Sequence, residues 1–94
     1  IPENFELIGC YPNPFNPSVN IEFTLPYSSH INLNIYDVTG KKVKSLINDN
    51  LDAGFIDINW NGINDSGSSV SSGIYFVVLD KGNKRFTNKI TMVK

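Results

Sequence analysis

The chain has 94 residues, of which 40 % are hydrophobic and 18 % charged, a composition that suits one compact domain and excludes two domains or a disordered chain. The net charge is −1, so electrostatics favours neither nucleic acid nor an anionic membrane as a partner. One cysteine, Cys10, and one histidine, His30, exclude an internal disulfide, a cysteine cluster for zinc and a two-histidine metal site.

The beginning of the chain does not resemble a targeting segment. The first residues lack the basic and then apolar start of a signal peptide. No apolar run approaches the stretch of about 20 residues that spans a membrane, so no membrane span is expected. The abrupt start at Ile1 indicates a mature domain or a piece of a longer protein, and residues 1–4 are expected to be a frayed remnant of an upstream linker.

Apolar and polar residues alternate through most of the chain, which is the pattern of strands with one face in a core and the other in water. Prolines and the Asn, Asp, Ser and Gly clusters that favour turns separate the runs. Seven strands are predicted, at 5–10, 19–25, 31–38, 43–47, 55–60, 74–79 and 86–93.

Two of these segments carry a more specific expectation. The segment 43–47 is short, and its apolar residues also suit one helical turn; residues 48–54 follow it as a longer connection. The segment 74–79 is apolar at successive positions, which predicts a central strand covered on both faces.

Seven short strands with turn signals every 8–12 residues are typical of an antiparallel immunoglobulin-like β-sandwich. The sequence therefore predicts an all-β, seven-stranded sandwich, with residues 1–94 as a single domain. No internal repeat interrupts it.

Candidate catalytic groups are scarce. The carboxylates of Glu22, Asp57 and Asp80 fall in solvent-facing or turn positions and do not form an acid–base pair. His30 needs a nucleophile and an orienting carboxylate to act as a base, and the simpler interpretation is a surface histidine. Cys10 has no basic neighbour in the sequence to lower its pKa, so we interpret it as a small buried hydrophobic residue rather than a reactive thiol.

The loop from Asn61 to Gly67 is the best ligand candidate. Asn61, Asn64 and Asp65 offer oxygen ligands that calcium prefers, but the loop has one carboxylate and turn geometry alone selects the same residues. Asn64-Asp65-Ser66 also fits the short N-glycosylation pattern. No cofactor is expected.

Exposed aromatic residues on a β-sandwich would suit carbohydrate binding, which is the alternative to core packing for the aromatic residues here. Trp60 continues the inward parity of Ile56 and Ile58, so core packing is the better interpretation for it.

Four groups of residues, taken in chain order, resemble one family over almost the whole chain. They are Tyr11-Pro12-Asn13-Pro14-Phe15-Asn16-Pro17-Ser18, Ile35-Tyr36-Asp37-Val38-Thr39-Gly40-Lys41-Lys42-Val43, Trp60-Asn61-Gly62 with Asn64-Asp65-Ser66-Gly67, and Ser72-Gly73-Ile74-Tyr75-Phe76. The chain is similar to the type IX secretion system C-terminal sorting domain, type A, a non-catalytic tail that sends proteins of Bacteroidetes-like bacteria through the outer membrane. The immunoglobulin-like domain of the flagellar hook-capping protein shares elements of the later groups. Gly9-Cys10 stands where the family usually has polar residues.

These motif residues also have physical roles. Prolines and asparagines at 12–17 favour a stiff, extended crossing of the end of the sandwich, and Asp37 can accept hydrogen bonds from amides of the Thr39-Gly40 turn. Glycines suit positive φ or close approach, and Tyr75 suits a buried anchor whose hydroxyl reaches the backbone. The structural motif residues are Tyr11, Pro12, Asn13, Pro14, Asp37, Gly40, Trp60, Gly62 and Gly67, together with Gly73 and Tyr75.

The resemblance implies that the last two strands carry a signal for the outer-membrane secretion machinery. The residues implied in partner recognition are Gly73, Tyr75, Lys89, Val93 and Lys94. The last strand would be available to a partner, for instance by edge pairing; alternatively its lysines only add solubility. The implied function is to export an upstream cargo domain of the same chain, via the periplasm, to the cell surface or the outside. The alternative is a passive adhesion, spacer or carbohydrate-binding module.

Overall fold

The computed structural model describes residues 1–94. It contains seven β-strands and no helix. The strands are β1 (Glu6–Tyr11), β2 (Val19–Leu25), β3 (Ser29–Asp37), β4 (Lys42–Leu51), β5 (Gly54–Trp60), β6 (Gly73–Lys81) and β7 (Lys84–Met92). They form two antiparallel sheets, one in the order β1-β2-β5 and one in the order β4-β3-β6-β7. This arrangement confirms the predicted all-β immunoglobulin-like sandwich. No helix is present that is long and apolar enough to cross a membrane.

The core lies between the two sheets and follows the alternation seen in the sequence. On β2, Val19, Ile21, Phe23 and Leu25 are buried, and the intervening Asn20 and Glu22 are only half-buried. Trp60 is 1 % exposed, which confirms its predicted inward position. Seventeen buried residues form one cluster, drawn from strands of both sheets and from the segments that flank them, so neither sheet has a core of its own.

The fourth strand is longer than the sequence predicts. β4 covers Lys42–Leu51, and its second half pairs with the start of β3, so the expected connection 48–54 shrinks to Asp52 and Ala53. Register shifts leave Leu46 and Val43 as extra residues between paired ones, and both pack against the core. These irregularities break the alternation, which explains why the segment also suited a helical turn.

The sixth strand is central in its sheet, as predicted, because β3 and β7 pair with its two sides. The expected cover on both faces is confirmed at Val78, which is buried on the outer face, and is wrong for the other outward residues. Tyr75, Val77 and Leu79 face the core, whereas Ile74 is 40 % exposed and Phe76 is half-buried on the outer face. Cross-strand neighbours on β3 and β7 flank these outer residues, and no second layer of strands lies over them.

The first strand carries a bulge where its sequence departs from the family pattern. Leu7 pairs with Phe23 and Gly9 with Glu22, which leaves Ile8 as the extra residue. Residues 1–4 precede β1 without joining a sheet, but the Thr24 hydroxyl donates to the carbonyl oxygen of Asn4 at 2.7 Å. Phe5 is buried and its ring packs edge-on against Phe86, with centroids 5.3 Å apart.

Candidate functional site at the C-terminal strand

The last strand ends at one end of the sandwich with its inward residues buried and its terminal side chains exposed. Ile90 and Met92 belong to the core, and β6 pairs with β7 along its length, down to Gly73 opposite Met92. Lys89 and Lys94 are exposed, and Val93 is 49 % exposed. These three side chains are reachable by a partner while the strand itself stays in the sheet.

The segment between β1 and β2 covers the other side of this strand. The Phe15 N–H donates to the Thr91 carbonyl oxygen and the Val93 N–H donates to the Phe15 carbonyl oxygen, both at 2.9 Å. The Asn13 amide nitrogen donates to the Lys89 carbonyl oxygen at 3.0 Å, and the Thr91 N–H donates to Asn13 Oδ1 at 3.0 Å. The expected edge pairing at residues 89–93 is therefore wrong, because the protein's own chain already uses those backbone groups.

The same segment is a crossing of the end of the sandwich, as predicted. It leaves and re-enters the three-stranded sheet at Tyr11 and Val19 and contacts the four-stranded sheet through Asn13 and Phe15. The peptide bonds before Pro12, Pro14 and Pro17 are cis. Tyr11, Pro12, Asn13 and Pro14 are exposed at the surface of this crossing, and Phe15 alone is buried.

Three aromatic rings anchor the crossing to the core. The Phe15 and Trp60 ring centroids are 5.7 Å apart, and those of Trp60 and Tyr75 are 5.6 Å apart, both within the range of favourable aromatic contacts. Trp60 Nε1 donates to the carbonyl oxygen of Ile63 at 3.0 Å. Three of the four sequence motifs thus meet at this end of the sandwich.

Tyr75 supports the site from inside the fold. Its side chain is buried, and its hydroxyl donates to the Ser71 carbonyl oxygen at 2.6 Å, which is the predicted anchoring role. Burial raises the pKa of this phenol. The resemblance implied Tyr75 as a recognition residue, which stays a prediction; the residue is 7 % exposed.

Gly73 likewise has a backbone role. It begins β6 opposite Met92, and the neighbouring Ser72 accepts a hydrogen bond from the Lys94 N–H through its hydroxyl oxygen at 3.0 Å. Ser72 was not predicted as a partner of the terminal segment. The only available signal was the position of Ser72 inside the Ser72-Gly73 motif, since pairing between distant backbones leaves no local pattern.

The remaining motif, residues 35–43, forms the turn between β3 and β4. Asp37 Oδ1 accepts from the Thr39 N–H at 2.9 Å, from the Thr39 hydroxyl at 2.6 Å and from the Lys41 N–H at 3.1 Å, which confirms its predicted role. The hydroxyl of Thr39 lowers the pKa of this carboxyl, with smaller contributions from the two backbone N–H groups. Gly40 has φ 86°, and its N–H donates to the Asp37 carbonyl oxygen.

The oxygens of the calcium candidates are engaged within the protein. Asn64 Oδ1 accepts from the N–H groups of Ser66 and Ser68 and from the Ser66 hydroxyl. Asn61 Oδ1 accepts from the Ile63 N–H at 3.2 Å. Asp65 Oδ1 accepts from the Ser45 N–H at 3.2 Å and lies 3.8 Å from Lys44 Nζ. These oxygens accept hydrogen bonds from the loop itself and from Ser45, which are the contacts of a hydrogen-bonded loop.

Cys10 and His30 lie apart from one another and from any catalytic arrangement. Burial raises the pKa of the Cys10 thiol to about 11, against a smaller opposing effect of Asn88, so the thiol is protonated near neutral pH. The two ring nitrogens of His30 contact Asn50 Oδ1 at 3.1 Å and Asn48 Oδ1 at 2.9 Å. Neither residue has a nucleophile or base partner.

Exposed aromatic residues are present and none of them forms a ring pair. Phe55 is 80 % and Tyr27 61 % exposed, whereas the three aromatic pairs of the molecule involve other residues, Phe5 with Phe86 and Trp60 with Phe15 and Tyr75. A cleft of about 360 Å³ lies beside the β3–β4 turn, with both acidic and basic residues in its lining.

Comparison with known proteins gives one family. The family model for a secretion system C-terminal sorting domain matches residues 9–94. Among solved structures, the chain is similar to dimeric latent PorU from Porphyromonas gingivalis, with 22 % sequence identity and a TM-score of 0.73 over 99 % of this chain and 10 % of that one. It is also similar to PorZ, an essential surface component of the type-IX secretion system of the same organism, with 21 % identity and a TM-score of 0.64 over 92 % of this chain and 11 % of that one.

This chain thus spans about a tenth of the length of either protein, and at these identities the likeness concerns the fold. None of the curated proteins matches the chain.

Proposed function

Because this chain belongs to the family of secretion system C-terminal sorting domains, it is a sorting signal of the type IX secretion system, and we propose that the exposed terminal side chains Lys89, Val93 and Lys94 are the part that the outer-membrane machinery contacts. The cargo is an upstream domain of the same polypeptide. It passes through the periplasm and leaves the cell, either for the medium or for the cell surface. The family is one of sorting tails rather than of enzymes, and we propose that this domain catalyses no reaction.

The observation that carries this proposal is the construction of the terminal segment. Hydrogen bonds from β6 and from the crossing at Asn13 and Phe15 hold residues 89–93 on both sides. Buried Ile90 and Met92 alternate with Lys89 and Val93, which are exposed. A strand held in this way presents the same side chains in fixed positions on every molecule, which is what recognition by a common exporter requires.

The lysines add positive charge to this end of the chain without an ion-pair partner. The ion pairs of the protein join Lys44 to Asp65 and Arg85 to Asp80, so Lys89 and Lys94 remain available to carboxylates of another protein. An unpaired exposed lysine contributes little to folding, and its loss is therefore expected to affect recognition more than stability.

The experiment fuses residues 1–94 behind a folded reporter in a host with a functional type IX system. We expect the wild-type fusion outside the cell and the triple variant Lys89→Ala, Val93→Ser, Lys94→Ala retained in the periplasm. The matched control is Val38→Ser, Lys41→Ala, Lys42→Ala, which makes the same three changes at exposed residues of the β3–β4 turn. Normal export of the variant at residues 89, 93 and 94, or equal retention of this variant and the control, contradicts the proposed recognition residues.

Deletion of residues 89–94 is not a suitable substitute for these side-chain changes. Ile90 and Met92 lie in the core, and removing two large buried side chains costs several kcal/mol, a large part of the stability of a small domain. A deleted variant would fail to be exported because it fails to fold. Circular dichroism of each purified variant confirms that the point substitutions avoid this problem.

A further inference from the structure

The side chain of Asn13 occupies the position of a backbone peptide group. Phe15 forms a parallel bridge with Met92, in which its N–H donates to the carbonyl of Thr91 and its carbonyl accepts from the N–H of Val93. In a parallel ladder the next bridge lies two residues earlier on both chains. It would use the N–H and C=O of residue 13, bound to the carbonyl of Lys89 and the N–H of Thr91.

The structure makes these two hydrogen bonds with the carboxamide of Asn13 instead of its backbone. Nδ2 donates to the Lys89 carbonyl and Oδ1 accepts from the Thr91 N–H, each at 3.0 Å. A carboxamide has one acceptor oxygen and a donor nitrogen in one plane, as a peptide group does. Asn13 therefore extends a one-residue bridge into a ladder of two rungs.

The backbone of Asn13 does not form this rung itself. Its N–H makes no backbone hydrogen bond, and the prolines on either side, Pro12 and Pro14, have φ fixed at about −65°, away from the φ of about −120° of a parallel strand. The side-chain amide at position 13 supplies the donor and acceptor in place of the backbone.

We propose that Asn13 is a positioning residue that closes the C-terminal part of the free edge of β7, at residues 89–91, by imitating a strand, so that the export partner contacts the side chains of the terminal segment and does not add a strand of its own there. The edge closure stands on the hydrogen bonds alone, whereas the statement about the partner rests on the proposed sorting function. An unpaired strand edge is a template for pairing with other chains, so the closure also keeps this terminus from pairing with a second copy.

The first test measures amide hydrogen exchange in the 94-residue chain by nuclear magnetic resonance. We expect the Thr91 N–H to exchange about tenfold faster in Asn13→Ala, because a net hydrogen bond is lost. Asn13→Asp keeps the acceptor for the Thr91 N–H but replaces the donor to the Lys89 carbonyl by a carboxylate oxygen, so it is expected to keep only part of the Thr91 protection. The control is Asn16→Ala, an exposed residue of the same segment, which is expected to leave Thr91 unchanged.

The amide of Val77, in the centre of β6, separates local opening from general loss of stability. If the amide exchange of Thr91 and of Val77 becomes faster by the same factor in Asn13→Ala, Asn13 has no specific role. The same conclusion follows if Asn16→Ala has the same effect on Thr91 as Asn13→Ala. Unchanged Thr91 exchange in Asn13→Ala also overturns the closure.

The second test places the same variants behind the reporter in the type IX host. We expect Asn13→Ala to reduce export severalfold and Asn13→Asp to restore part of it, because the terminal side chains lose and regain their fixed position. Unchanged or increased export of Asn13→Ala would show that the partner accepts an open strand edge. It would overturn the proposal that the partner recognises the terminal segment through its side chains. A wild-type fusion that stays in the periplasm would refute the sorting function and leave the exchange result standing.

Discussion

The position of Gly62 requires a glycine, because the side chain of Met92 in the last strand lies close to its Cα. Its φ is 75°, and a Cβ built there would lie 2.7 Å from Met92 Cε and 3.1 Å from the carbonyl oxygen of Pro17. A side chain at this position is therefore unfavourable for two reasons. The backbone is left-handed, and the space for a Cβ is already filled by the terminal strand and the crossing. Gly67 also has positive φ, 88°, but no atom lies within 4 Å of its built Cβ.

We predict that Gly62→Ala lowers the free energy of unfolding by about 2–4 kcal/mol, since it adds a displaced Met92 to the backbone cost. Gly67→Ala, the matched control, should lower the free energy of unfolding only by the backbone cost of about 1 kcal/mol. Urea unfolding followed by tryptophan fluorescence gives both values. Equal losses at the two glycines would mean that contact with Met92 does not matter.

At the scale of the element, the β3–β4 hairpin depends on one carboxylate. Asp37 Oδ1 gathers three donors from the turn, and these hold its pKa below the ordinary value of 3.8. A carboxyl whose pKa is lower in the folded state stabilises the fold above its unfolded pKa. That contribution disappears as the pH falls through the folded value.

We expect Asp37→Ala to lower the melting temperature at pH 7 and to approach the wild type at a pH below the lowered folded pKa of Asp37, where the carboxyl is protonated in both states. The control Asp52→Ala changes an exposed carboxylate between β4 and β5 that makes no hydrogen bond to a turn. Thermal unfolding by circular dichroism at several pH values provides the comparison. A difference between Asp37→Ala and the wild type that stays constant down to that pH would contradict this role.

The strands show where a period-two pattern is sufficient and where it fails. The alternating residues of β2 and β3 are buried as predicted, because each strand has one core face and no bulge that changes its own parity. In β4, two extra residues shift the register, and its polar end, Asn48 to Asn50, pairs as an edge strand with exposed side chains. Edge strands need no apolar face at their ends, so the pattern carried no signal for this half of β4.

At the scale of the whole molecule, the two sheets share one core. Ile21 on the three-stranded sheet and Ile35 on the four-stranded sheet are both fully buried in the same cluster. The crossing joins the sheets a second time at the terminal strand. Since neither sheet buries its apolar face alone, the sheets are expected to unfold together.

We predict that Ile21→Ala and Ile35→Ala each lower the free energy of unfolding by about 2–5 kcal/mol. The fluorescence of Trp60, on the three-stranded sheet, and far-ultraviolet circular dichroism should give the same urea midpoint for each variant. Ile74→Ala, at an outward position of β6 outside the core cluster, is the control and should lose about 1 kcal/mol or less. Separate midpoints for the two signals would show that the sheets unfold independently.

The sequence by itself determined the strand content, the two-layer sandwich, the inward position of Trp60 and the roles of Asp37 and Tyr75 within their motifs. These features depend on alternation and on turn chemistry, which act between residues close in the chain. The family resemblance rested on the same local groups of residues.

Only the tertiary structure decided which side chains at the C-terminal strand can meet a partner. It buries Tyr75, leaves Lys89, Val93 and Lys94 exposed, and fills the edge of β7 with Asn13 and Phe15. Asn13 and Lys89 are 76 positions apart, and a hydrogen bond across that separation depends on how the two sheets pack. No local pattern encodes it, because the groups it joins are a backbone present at every residue and one of thirteen asparagines.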